Sequence, residues 1–268
     1  MRASLTITGI EVELSVPAGG LETIAAGRYA PFLGESDAPV CSVHVEPEPG
    51  LGRLVAVRAD DDPVVECQSA SVFRVAHPSF FGHFDLEGEG ELHTSTEAVA
   101  LDHGLRILFA LLAPRHGGFM LSASGVIGDD GAHVFAGAAG RGRPVIAGVG
   151  GDHPLLIDGF VMVRRLGGTW MAGSTPFWTS FEPPDRPREA KLARLWALQS
   201  CPATEPCPPD SGAALHAVMD HAYVPTKESG ARRAVLDLAV ELAAAVPSSK
   251  LFVGSDAAAW DGIEISLS

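Results

Sequence analysis

The sequence predicts a mixed α/β chain of the α+β kind: a strand-rich N-terminal subdomain over 1–93, followed by a larger domain over 94–268. Three observations carry this. Apolar residues alternate with polar ones in the first ninety positions, the signature of half-buried strands. One segment near residue 100 has helical spacing. A hairpin, a Gly-rich loop and an apolar strand then follow in order.

The elements come in the following sequence. Val12, Leu14 and Val16 alternate with charged or small residues. Leu54, Val55, Val57, Val64 and Val65 suggest two more strands around the turn Asp60-Asp61-Asp62-Pro63, an acidic run without EF-hand spacing that reads as a solvated turn. Leu101, Leu105, Leu108, Phe109 and Leu112 recur at helical spacing. They place a helix over 96–113, with Thr94 and Glu97 as its capping box and Pro114 as its stop. Met120 to Ile127 and Ala132 to Ala136 read as a hairpin joined by Gly128-Asp129-Asp130-Gly131. Leu155 to Val163 is an apolar strand, turned by Gly167-Gly168 into Thr169 to Ala172. Residues 192–198 fit helix or strand equally well, and 199–212, rich in Pro, Ser and Cys, read as a surface loop. Leu215, Val218, Met219 and Ala222 mark a helix. Val235, Leu238 and Leu242 mark another that ends at Pro247, and a strand closes the pattern at Lys250 to Val253. No internal repeat is present.

Composition bounds the function. Hydrophobic residues make up 46% and charged residues 19%, a globular balance. The net charge is −14 and the pI near 5.0, so no basic face for nucleic acid is expected. The first fifteen residues carry Glu11 and Glu13 and no apolar core of a secretory signal. No apolar run is long enough to span a membrane, and a cytoplasmic location is expected. Cys41, Cys67, Cys201 and Cys207 match neither a zinc ribbon nor a redox pair. Cys201 and Cys207 are close enough in sequence for a disulfide, but free thiols are the expected state in that compartment.

The segment Gly137-Ala138-Ala139-Gly140-Arg141-Gly142-Arg143-Pro144 follows the strand Val134-Phe135-Ala136 and matches the phosphate-loop pattern GxxxxGK[ST] up to its last two positions. In an intact loop, backbone N–H groups cradle phosphates, the lysine neutralises the β and γ groups, and the hydroxyl residue holds magnesium. Candidate nucleotide- or phosphate-binding residues are therefore Gly137, Gly140, Arg141, Gly142 and Arg143. Asp158, closing the apolar run Leu155-Leu156-Ile157, is the candidate general base or magnesium ligand.

These segments resemble the HPr-kinase-like family of ATP-dependent serine kinases, within the phosphoenolpyruvate-carboxykinase-type P-loop group. Leu121-Ser122-Ala123-Ser124-Gly125-Val126 is similar to that family's LHASGV, the Gly-rich loop to its GPSGAGKST, and Leu155 to Asp158 to its LLSDD. Ser174-Thr175-Pro176-Phe177-Trp178 resembles its GTPFxGE, and Val246-Pro247 to Trp260 its closing strand and terminal tryptophan segment. The likeness covers roughly residues 95–262. It implies a P-loop kinase fold, with ATP and magnesium as cofactors where the loop is functional.

The departures from the family define the expected function. Ser122 stands where the family has histidine, Arg143 replaces the loop lysine, Pro144 the Ser/Thr, and Gly159 the second aspartate. Arginine keeps the charge but not the compact ammonium. Proline offers neither an N–H nor a hydroxyl. A hydrogen bond to a charged group is worth roughly 1.5–3 kcal/mol, so losing the N–H alone weakens nucleotide binding by about one to two decades. Proline also pushes Arg143 toward extended backbone, where the loop lysine normally opens a helix. The expectation is a pseudokinase that serves as a peptide- or protein-binding regulatory factor. The alternative is an active ATP-dependent serine kinase with an atypical loop, and a homo-oligomeric structural subunit is a third reading.

Other residues offer less. Among the ten histidines, His77, His83, His93, His103 and His116 show no HExxH pattern. His103 reads as a packing or surface residue, and His116 is a remote candidate to approach the loop. His216 and His221 are five apart, off the spacing of a helical metal pair. Ser122 and Ser124 lack a GxSxG elbow. Trp170, Phe177 and Trp178 read as core or rim aromatics.

Overall fold

The computed structural model describes residues 1–51, 62–137, 153–179, 185–200, 205–209 and 211–253. Gly140, Arg141, Gly142, Arg143 and Pro144 lie outside the described residues, as do Leu54, Val55, Val57, Asp60, Asp61, Cys201 and Trp260. The chain is mixed α/β, with two mixed sheets and, among the described residues, four α-helices. It divides into two compact units: Met1–Leu112 with Val224–Arg232, and Ala113–Tyr223 with Arg233–Ser268. The first unit thus runs past position 93 and takes in the helix expected near residue 100.

The first unit is built on β1 (Arg2–Ile7), β2 (Ile10–Ser15), α1 (Gly20–Arg28), β3 (Leu33–Gly34), β4 (Cys41–Pro47), β5 (Val64–Cys67), β6 (Val72–His77), β7 (Phe80–Asp85), β8 (Glu89–Thr94) and α2 (Ala98–Leu112). Its eight-stranded sheet has the order β3-β1-β2-β4-β8-β7-β6-β5. The pairs β2–β4 and β4–β8 are parallel and the rest antiparallel. The alternation read from the sequence sorts the two faces: Ile10, Val12, Leu14, Val43, Val45, Phe73, Val75, Phe80, Phe84 and Leu92 are buried. Helix α2 packs on β7 and β8. A Cβ at Gly104 would come within 2.6 Å of Leu92 Cδ2, so glycine lets the helix approach the sheet there.

The expected capping box does not form. Thr94 is the last residue of β8, and its hydroxyl donates to the carbonyl of Ser95 at 3.2 Å. Pairing to β4 and β7 holds Thr94 extended, and α2 begins at Ala98, where Ala100 N–H reaches the Glu97 carbonyl at 3.1 Å. Within this unit Asp102 of α2 ties down α1. Arg28 Nε and Tyr29 Oη each donate to Asp102 Oδ1 at 2.7 Å, and Arg28 Nη2 pairs with Oδ2. Burial raises the Asp102 carboxyl above the usual range, against the opposing pull of Arg28 and Tyr29. Burial also pushes the Cys41 thiol up to about 12, which leaves it unreactive.

The second unit holds β9 (Gly118–Gly128), β10 (Gly131–Ala136), β11 (Leu155–Leu166), β12 (Thr169–Gly173), β13 (Glu189–Ser200), β14 (Glu205–Pro209), α3 (Ser211–His221) and β15 (Ser248–Val253). Helix α4 (Ser229–Ala245) has Val235, Ala239 and Leu242 among its buried residues. The order of the seven-stranded sheet is β10-β9-β11-β12-β13-β15-β14, with a further β10–β13 pairing that closes part of it on itself. The 120–136 and 155–172 hairpins are present, antiparallel throughout. The ambiguous segment 192–198 is strand. It is parallel to both β10 and β15, and that two-sided pairing overrides its helical residues. The expected loop at 199–212 is not a plain loop: β14 pairs antiparallel with β15 at the sheet's end, an edge position where proline is tolerated. Met219, counted in the apolar stripe of α3, is 47% exposed, while Ala213, Ala214, Ala217 and Val218 are buried.

Candidate phosphate-loop site

Strand β9 runs between β10 and β11 and gathers the described part of the site. β10 ends at Ala136, and Gly137 N–H donates to the Ser122 carbonyl at 3.2 Å. Two residues along β9, Ser124 lies between Phe135 of β10 and Asp158 of β11. Gly137, where the Gly-rich segment begins, and Asp158 therefore flank the same short stretch of β9. The other proposed phosphate contacts, Gly140, Arg141, Gly142 and Arg143, lie outside the described residues.

Asp158 is 1% exposed. Ser124 Oγ donates to its Oδ1 at 2.5 Å, and Thr179 Oγ1 donates to its Oδ2 at 3.2 Å. Its backbone carbonyl accepts Thr179 N–H at 2.9 Å. Hydroxyl donors to both oxygens are what a buried carboxylate needs in place of water.

The segment from Ser174 to Thr179 lies along β11. Thr175 Oγ1 donates to the Phe160 carbonyl at 2.6 Å, Phe160 N–H to the Phe177 carbonyl at 3.1 Å, and Trp178 forms an isolated antiparallel bridge with Gly159. This approach explains Gly159. A Cβ there would fall 2.2 Å from the Phe177 carbonyl oxygen and 2.7 Å from Trp178 Cα. An aspartate at 159 is therefore incompatible with this backbone.

Cross-strand register continues the Asp158–Ser124 row through Phe135 to Trp196 of β13 and Ser249 of β15. Phe135 and Trp196 stack at 5.9 Å with 4° between their planes, over a core that includes Val126 and Leu251. His133 adjoins them. Its Nδ1 accepts the Trp196 indole N–H at 3.3 Å and its Nε2 lies 2.8 Å from Asp130 Oδ1. An indole only donates, so Nδ1 is unprotonated and Nε2–H points at Asp130. His133 is thus held as a packing residue. Thr179 and His133 carried no motif in the sequence; only pairing across strands places them here.

The remaining candidates fall elsewhere. His103 lies in the first unit, edge-on to His77 and Phe80. The His116 carbonyl accepts Arg164 Nε at 2.7 Å, and burial, then Arg164 and Arg115, lowers the affinity of its ring for a proton. Trp170 and Phe177 are buried, Trp170 against Phe119 at 6.2 Å. No helix among the described residues is long and apolar enough to cross a membrane.

No protein-family model matches the chain, and no curated protein matches it in sequence.

Proposed function

We propose that the chain is a degenerate HPr-kinase-like protein, a pseudokinase acting as a peptide- or protein-binding regulatory factor. The observation that carries the reading is the sequestered carboxylate. Asp158, the residue a kinase would use on magnesium or on a substrate hydroxyl, is buried, with Ser124 and Thr179 hydroxyls on its two oxygens. Among the described residues, the set around Asp158 is a poor fit for magnesium-ATP. The position of a second carboxylate is filled by the backbone of Phe177 and Trp178, and Pro144 supplies no hydroxyl for a metal. Without a second magnesium ligand beside Asp158 among the described residues, phosphoryl transfer would lack its main charge stabilisation. A binding role on the same scaffold needs none of these groups.

The alternative, an active ATP-dependent serine kinase, draws on one feature: Gly137 and Asp158 flank the same stretch of β9, as a phosphate loop and a metal-binding carboxylate must. Titration calorimetry with magnesium-ATP separates the two. The native chain is expected to give no saturable heat, and the double change Arg143→Lys, Pro144→Ser to recover measurable affinity. Equal binding by both, or turnover by the native chain, overturns the pseudokinase reading.

A further inference from the structure

The face of the eight-stranded sheet opposite its buried residues carries an apolar row edged by carboxylates. Val64 on β5, Ala76 on β6, Phe81 on β7, His93 on β8 and Glu46 on β4 are successive register partners, and register partners share a face. Val64 is 57% and Phe81 42% exposed, although both are large and apolar. The Phe81 ring stacks on His93 at 4.8 Å with 12° between the planes. Glu46 continues the row past His93, and Glu91 stands two residues before His93 on the same face of β8. Both carboxylates are exposed. Among the described residues neither is held by an arginine or lysine, and the neighbour of Glu91 Oε2 is His93 Nε2 at 3.8 Å.

We propose that this face docks a basic peptide segment of a partner protein, with arginine or lysine against Glu46, Glu91 and the Phe81 ring, and an aliphatic residue against Val64 and Ala76. A guanidinium can lie on an aromatic ring while its N–H groups reach a carboxylate, and here ring and carboxylates already stand side by side toward solvent. The contact therefore needs no rearrangement of the sheet. From β8 to β5 is three strand spacings, about 14 Å, so the aliphatic contact falls about four extended residues from the basic one. A second copy of the chain is the wrong occupant: it would set the same carboxylates against each other in a protein of net charge −14. The inference rests on the peptide-binding role proposed above and gives it a partner chemistry, but it uses no residue of the phosphate-loop site.

Fluorescence anisotropy of the full chain with a labelled peptide Arg-Arg-Gly-Ser-Gly-Leu at low salt tests the face. Saturable binding that weakens with added salt is expected. The double change Glu46→Gln, Glu91→Gln should weaken it by about 10-fold, the loss of two exposed ion pairs, and Phe81→Ser by about 3-fold. The double change Asp37→Asn, Asp220→Asn removes two exposed carboxylates elsewhere and should leave the affinity unchanged. Circular dichroism checks that each variant remains folded. The proposal is overturned by no saturable binding, by full affinity in both face variants, by equal loss in the charge-matched control, or by equal affinity for a peptide with glutamate in place of arginine. Sedimentation that shows a dimer of the native chain, dissolved by Phe81→Ser, also overturns it and assigns the face to a second copy. None of these outcomes touches the pseudokinase reading, which the magnesium-ATP titration tests separately.

Discussion

Gly159 is the residue whose side chain the fold forbids. Adding even a methyl group brings a carbon to 2.2 Å from a carbonyl oxygen, so Gly159→Ala must separate β11 from the segment at 177–179. The expected cost is about 1–3 kcal/mol, as for other overpacked sites, read as a lower urea midpoint. Gly159→Asp should be worse, and it should not create a magnesium site. His103 acts through its protonation state. Burial first, then Arg106 and His77, holds its ring at a pKa of about 4, against an ordinary 6.5. Above pH 6.5 the folded and unfolded chains both carry it neutral, and it contributes nothing to pH dependence. Between 6.5 and about 4 the unfolded chain binds the proton and the folded chain does not, so stability falls as pH falls. Thermal melts at pH 7 and pH 4.5 should therefore differ less for His103→Gln than for the native chain.

Elements are held by a few side chains whose partners come from distant sequence. Asp102 joins Arg28 and Tyr29, more than seventy residues away in the chain. Asp102→Ala leaves a half-buried guanidinium and a buried phenol without their shared acceptor, and the expected loss is about 3 kcal/mol, the low end for a broken buried pair, seen in chemical denaturation. Asp102→Asn should cost less, since it retains an acceptor. On β13, Trp196 stacks on Phe135, donates to His133 and lies under Arg194, whose guanidinium carbon is 5.0 Å from the ring centroid. Trp196→Ala should cost about 3–5 kcal/mol. The β10–β13 pairing and the core at Val126 and Leu251 both depend on that ring. Edge strand β14 shows why composition misled at 199–212. Proline-rich sequence reads as loop, yet a strand at a sheet's end needs only one set of backbone partners, and β15 provides them.

For the whole molecule the net charge of −14 sets a simple expectation. At low salt, where electrostatic binding is strongest, a gel-shift titration with duplex DNA should show no complex. Retarded duplex would require a basic surface that the composition does not suggest. Strand periodicity was legible because alternation follows from burying one face of a sheet, and the hairpins at 128–131 and 167–168 were legible because glycine-containing turns leave a local mark. The boundary between compact units was less so: α2 packs on β7 and β8, and an apolar helix stripe does not say which sheet it covers. In the candidate site, Gly137 and Asp158 stood out through local pattern. Thr179, which shares Asp158 with Ser124, did not, since a threonine following an aromatic pair signals nothing until its segment lies on β11.

Local chemistry written along the chain was enough to establish a mixed α/β protein and its hairpins, and to single out the Gly-rich segment and Asp158 as candidates, because each depends on neighbours a few positions apart. The burial of that carboxylate and the reason for glycine beside it depend on strand register. Register brings together residues tens of positions apart, and it is set by the burial of whole faces, which no short stretch of sequence contains.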